Sequence, residues 1–136
     1  MLILTDIVLT SCIRESEYVP IRDVYAHKDS WTWTLMMPIP GVASADLVQS
    51  TLESLKTRGD APGVDQVRIE CFEEGLCAQL LHIGTYSDEG DDLDRLHGQI
   101  LKRGYEPRGW HHEIYLNEAS QAHEGRLQVI LRQPVA

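Results

Sequence analysis

LCAQLLHIGTYSDEGDDLDRLHGQILKRGYEPRGWHHEIYL, Leu76 to Leu116, is the stretch whose order of elements decides the fold. It opens with Leu76 to Ile83 (LCAQLLHI), a short apolar run of strand length. A helix is predicted to start near Ser87-Asp88. Its first turn carries Asp and Glu, which the positive end of a helix dipole favours, and Leu93, Leu96, Ile100 and Leu101 form one stripe. Gly104 stops it after Lys102 and Arg103. His111 to Leu116 then reads as a strand, Asn117 to Gly125 as a polar loop, and Leu127 to Arg132 (LQVILR) as a last strand before Pro134. The unit is strand, helix, strand, strand.

Working outward, Val67 to Phe72 (VRIECF) is predicted to pair with Leu76 to Ile83 as a hairpin across Glu73-Glu74-Gly75, with the acidic turn exposed. Before the turn at Pro62-Gly63, Ser44 can cap a helix over Ala45 to Arg58. Leu47, Val48, Leu52 and Leu55 would be its packed stripe and Gly59 its stop. Trp31 to Met37 (WTWTLMM) alternates large apolar side chains with threonine and ends at Pro38, as a half-buried strand does. Met1 to Leu9 (MLILTDIVL) reads as another strand, with no clear continuation into the polar patch Thr10 to Glu17, and Val19 to Tyr25 as a short one. The whole order predicts an α+β fold, an antiparallel sheet with helices on one face.

A chain of 136 residues suits one domain. Its 21 acidic against 12 basic residues give a formal charge of -9, which repels phosphate backbones and argues against nucleic-acid or anionic-membrane partners. The apolar start contains Asp6, lacks a basic leader and is far too short to span a bilayer. Cys12, Cys71 and Cys77 form no CxxC pair, so reduced thiols in a cytoplasmic protein are expected. No nucleophile elbow, phosphate loop or dinucleotide fingerprint occurs, and no cofactor is implied.

The candidate chemistry sits on Trp110-His111-His112-Glu113-Ile114-Tyr115-Leu116. Strand alternation puts His111, Glu113 and Tyr115 on one face and His112, Ile114 and Leu116 on the other, so the first face is expected to be a site and the second core. A mid-strand carboxylate is either solvated on an open sheet or held in a cleft, where its desolvation must be offset. In a cleft it could attract a cation or act as general base. Trp31, Trp33 and Tyr115 could supply aromatic walls, though both tryptophans could equally be core. Tyr86, at a strand-to-helix junction, could donate a proton or simply pack the helix start. His111 and His112 face opposite ways and cannot easily share one metal ion, so no metal site is expected. His97 and His123 are expected to face solvent.

The strand-helix-strand-strand unit, with His82-Ile83-Gly84-Thr85-Tyr86 and His112-Glu113-Ile114-Tyr115-Leu116, resembles the GyrI-like small-molecule-binding family. Trp31-Thr32-Trp33-Thr34, the run Cys71 to Gln79 (CFEEGLCAQ) and Leu131-Arg132-Gln133-Pro134-Val135 add to the match in order and spacing, over residues 18 to 136. The resemblance implies two such modules as a pseudo-twofold pair, a ligand cleft between them and an acid at its base, here Glu113. This combination looks like the stand-alone branch that includes hydrolases of cyclopropane-bearing alkylating compounds as well as binders of hydrophobic or cationic drugs. In those enzymes a glutamate and a tyrosine act in the cleft, which by motif are Glu113 and Tyr86. Longer relatives carry an extra strand and helix where this chain has residues 1 to 17, a divergent segment, so the first module reads as truncated. The reading therefore expects a homodimer that covers the exposed sheet. Its ligand is a hydrophobic or cationic aromatic small molecule, bound by Trp31, Trp33, Tyr115, His111 and Glu113 and, in the enzyme version, hydrolysed by Glu113 with Tyr86. A non-catalytic module with an incomplete pocket is the alternative.

Overall fold

The computed structural model describes residues 8–12, 32–39, 42–59, 61, 63–69, 73–118 and 123–136, with side chains not described at 8–12 and 32–33. The short strand expected at Val19 to Tyr25 lies outside them, as do Trp31 and most of the expected first strand. The chain divides into two compact units, one containing Pro38–Glu73 and the other containing Asp6–Met37 and Glu74–Ala136.

The second unit holds a five-stranded antiparallel sheet. Its strands are β1 (Val8–Cys12), β2 (Thr32–Met36), β3 (Cys77–Gly84), β4 (His111–Tyr115) and β5 (Leu127–Pro134), in the order β2-β1-β4-β5-β3. Among the described residues of this unit the helix is α2 (Glu89–Lys102), which joins β3 to β4. β1 continues to Cys12, into the polar patch where the sequence shows no clear continuation, because its backbone pairs with β2 on one side and β4 on the other. Pairing on both sides holds Thr10 and Ser11 in the sheet, and the β-branched Thr10 suits a strand.

Along β3 the inward positions Ala78, Leu80, His82 and Gly84 alternate with the exposed Gln79, Leu81 and Ile83. The same period on β5 buries Leu127, Val129 and Leu131 completely. Leu93, Leu96 and Ile100 of α2 join them in one core, with Ala78, Leu80, Tyr86 and Tyr115 packed at its margin. Each such side chain contributes about 1.5–3 kcal/mol on burial. Leu101 is exposed instead, because it stands a further ~100° round the helix from Ile100 and turns away from the sheet.

Which face of β4 is covered reverses the expectation. Glu113 pairs with Leu131 and Tyr115 with Val129, so the face with His111, Glu113 and Tyr115 is the one that carries the core. Ile114 is half-buried and Leu116 exposed on the face expected to be core.

The predicted hairpin is also corrected. Val67 to Ile69 is irregular, residues 70–72 lie outside the described set, and β3 pairs with β5 along its whole length. The turn is not fully exposed either. Glu74 receives Arg132 at 2.8 Å, and its carbonyl accepts from Arg108, whose Nε also donates to Val135 O at 3.0 Å.

The first unit contains α1 (Ala45–Arg58) and a short 3-10 turn, Val64–Gln66. The helix limits follow the capping signals. Ser44 Oγ accepts from Leu47 N at 3.1 Å, and Gly59 takes φ 73, returning its N–H to Leu55 O and Lys56 O. The expected stripe is covered only in part: Val48, Leu52 and Leu55 are half-buried, Leu47 is exposed, and no residue of α1 is fully buried.

Candidate functional site

The alternation of β4 sets three polar side chains in line on the helix-bearing face. Glu113 is only 3% exposed, in mid-sheet, between Leu9 of β1 and Leu131 of β5 in the register. A carboxylate so placed loses its water and needs protein donors. Tyr115, two residues along the same face, donates its hydroxyl to Glu113 Oε2 at 2.8 Å. Tyr86, which packs at the margin of the same core, is near enough to Tyr115 to act on its hydroxyl. Burial, then the Glu113 charge and the hydrogen bond to it, hold the Tyr115 hydroxyl far above its usual pKa, and Tyr86 adds to this. Tyr115 is therefore a firm donor and never a base.

His111 lies one step back along this face, 7% exposed, and among the described residues neither of its ring nitrogens has a partner at full hydrogen-bond geometry. Burial pushes its pKa down to about 3, with the neighbouring His97 and His112 adding to the effect and the Gln133 side chain opposing it. His97 of α2 faces it, ring centroids 6.4 Å apart, with its own Nε2 buried and unbonded. Burial lowers the His97 pKa too, against the pull of Asp94. His97, expected from sequence to face solvent, is instead half-buried with its ring against His111. His123 is exposed.

Tyr86 is fixed by an unusually well-bonded turn between β3 and α2. His82, 1% exposed, offers Nδ1 to Asp92 Oδ2 at 2.9 Å and Nε2 to Thr85 O at 3.0 Å. Asp92 is itself held by Arg95 at 3.1 Å. Asp88 accepts from Thr85 N at 3.1 Å and Thr85 Oγ1 at 2.8 Å, bonds that hold its carboxyl below the usual carboxylate range.

The structure thus brings Glu113, Tyr115 and Tyr86 together and puts His111 on the same face. Of the expected tryptophans, Trp31 lies outside the described residues. The Trp33 backbone pairs with Ser11, which pairs in turn with His111, so these positions form one row across the sheet. Sequence reading missed Glu89, 2% exposed in the first turn of α2. The signal was present: the stripe Leu93, Leu96, Ile100 carried back one turn lands on it.

On the opposite face His112 Nε2 stands 3.5 Å from Glu74 Oε1, beside the Arg132–Glu74 pair. His111 and His112 are indeed on different sides of the sheet. Among the described residues no cluster of three or more His, Cys, Asp or Glu could hold a metal ion, and no helix is long and apolar enough to cross a membrane.

Comparison with solved structures places this geometry in a known fold. An uncharacterized conserved protein from Listeria innocua superposes with a TM-score of 0.80 at 25% identity, matching 98% of this chain to 65% of its own. Two structures described as hydrolases from Listeria innocua give TM-scores of 0.76 and 0.78 at 22% identity, each over 98% of this chain and 64% of theirs. The chain therefore spans just under two thirds of the length of these structures. No curated protein matches its sequence significantly. The model of the GyrI-like small molecule binding domain matches residues 41–135, well over half of the sequence and the whole of the β3-α2-β4-β5 unit. The chain belongs to the GyrI-like small molecule binding domain family.

Proposed function

We propose that this chain binds a hydrophobic or cationic aromatic small molecule at Glu113, in a domain running over residues 18–136 behind a divergent segment 1–17, in the cytoplasm. The observation that carries this is the Glu113 carboxylate, nearly buried in mid-sheet and oriented by the Tyr115 hydroxyl. Water is largely excluded there, so Coulomb attraction for a cation is stronger than at the surface. The aromatic rings of Tyr115 and Tyr86, with Trp31 and Trp33 from the β2 region, would supply flat walls that stabilise a cation over their faces. His111 lines the same face. Titration with a cationic aromatic dye, read by tryptophan fluorescence, should show saturable quenching that weakens strongly in Glu113→Gln. Unchanged affinity in that variant would remove Glu113 from the site.

The catalytic extension of this reading is hydrolytic opening of a cyclopropane-bearing electrophile. Glu113 takes a proton from water as the water oxygen bonds to the strained carbon. The breaking carbon–carbon bond releases its electron pair into a conjugated carbonyl, and Tyr86 stabilises the oxygen that gains charge. The hydrolase description of two structures with this fold supports testing it. Incubation with a cyclopropane-bearing alkylator and mass spectrometry of the hydrated product is the assay. Turnover unchanged in Glu113→Gln would exclude this mechanism.

A second reading, a non-catalytic module completed by a second copy, rests on β2. Leu35 is 64% exposed although its row across the sheet continues through Leu9 to the buried Glu113 and Leu131, and Met37 is 73% exposed. Unburied apolar surface of this kind favours a homodimer. Light scattering on a size-exclusion column should then give twice the chain mass, and a monomer at high concentration would end this reading.

A further inference from the structure

The clamp at His82 has a consequence for the site, resting on the proposed reading of Glu113 and Tyr86. We infer that His82 is the positioning residue of this site. Its two hydrogen bonds fix the turn Thr85–Asp88, and with it the Tyr86 phenol against Tyr115, so that Tyr115 stays oriented as donor to Glu113.

The connection runs through bonded neighbours at each step. Asp92 on α2 anchors the His82 ring by Nδ1, and Arg95 holds Asp92. From the other nitrogen His82 reaches Thr85 O, which also accepts from Asp88 N at 3.1 Å. The Thr85 hydroxyl accepts from Ser87 N at 3.2 Å and donates to Asp88. Tyr86 is thus flanked on both sides by residues whose backbone is tied down. Gly84 completes the clamp by close approach, since a Cβ there would meet His82 Cε1 and Asp88 Oδ2, both at 3.2 Å. The side chain this bonding holds is the phenol packed at the same core margin as Tyr115, the donor to Glu113.

The two bonds of His82 can be removed one at a time. The amide nitrogen of a glutamine sits near the Nε2 position of histidine and that of an asparagine near Nδ1. His82→Gln therefore keeps the donor to Thr85 O, and His82→Asn keeps only the one to Asp92. With tyrosine labelled at Cζ, carbon NMR reads the hydrogen-bond state of Tyr86 and Tyr115, each signal assigned from its Phe variant. His82→Asn is expected to shift both signals and weaken cationic-dye binding about tenfold, the size of one lost hydrogen bond to a charged group, while His82→Gln stays near wild type. Should His82→Asn not fold, Gly84→Ala provides the same displacement by crowding the ring and Asp88. The inference is overturned if the Tyr115 signal is unmoved in His82→Asn, or if both His82 variants displace it equally, as general loosening would. A wild-type protein that binds no dye would overturn the proposed binding function, and the tyrosine signals would still decide whether His82 sets the geometry.

Discussion

Acid should loosen this protein through His111. The ring is 7% exposed, neither nitrogen has a partner at full hydrogen-bond geometry among the described residues, and burial holds its pKa at about 3 against the ordinary 6.5. The folded state therefore keeps the ring neutral while the unfolded chain takes up a proton. Because the folded value is the lower one, stability is fully present above the unfolded pKa and falls as pH drops below it. The loss is about 1.4 kcal/mol per pH unit, so from neutral pH to about pH 5 His111 alone removes about 2 kcal/mol. His97, lowered in the same direction, adds to the slope. The assay is urea unfolding followed by tryptophan fluorescence at a series of pH values, on wild type and His111→Phe. Phenylalanine keeps an aromatic ring and removes both ring nitrogens. The variant should lose the His111 share of the slope and be no less stable than wild type at about pH 5. Equal pH slopes in the two proteins would refute the reasoning, since they would mean that His111 titrates in the folded state as it does in water.

Four other substitutions test the packing and the turn. Tyr115→Phe removes the donor to a nearly buried carboxylate and should cost about 1.5–3 kcal/mol in urea unfolding, whereas an exposed tyrosine would cost almost nothing. Leu96→Ala, in the core under α2, should cost about 2–5 kcal/mol, while Leu52→Ala in α1, where no residue is fully buried, should cost less than about 1 kcal/mol. Equal losses by thermal or urea unfolding would show that α1 is packed as closely as α2. Gly75→Ala places a Cβ at φ 69 and 2.8 Å from Arg108 Nη2, and should cost about 1–2 kcal/mol. A neutral result in the same measurement would mean that the turn relaxes freely.

Much of the architecture was legible because it rests on short-range signals. Ser44 and Gly59 bound α1 as their capping chemistry requires, and Gly104 follows the end of α2 with φ 80. The alternation through Leu127 to Arg132 marked β5, and the order of elements from Leu76 gave the α+β unit. The chemistry of Glu113 with Tyr115 was half legible, since a spacing of two puts both on one face of a strand. Other residues deceived. His97 and Glu89 are polar, so they looked solvated, yet both sit on the inward side of α2. The apolar Ile114 and Leu116 looked like core, yet the helix covers the other side of their strand.

By itself, then, the sequence determined where strands and helices begin and end and which side chains share a face, because caps, turns and periodicity act over a few residues. Only the tertiary structure decided which of the two faces of β4 receives α2, because alternation defines two faces and is indifferent to which is covered. That choice buries Glu113, gives it Tyr115 as donor, brings His97 against His111, and turns a strand of mixed character into the candidate site.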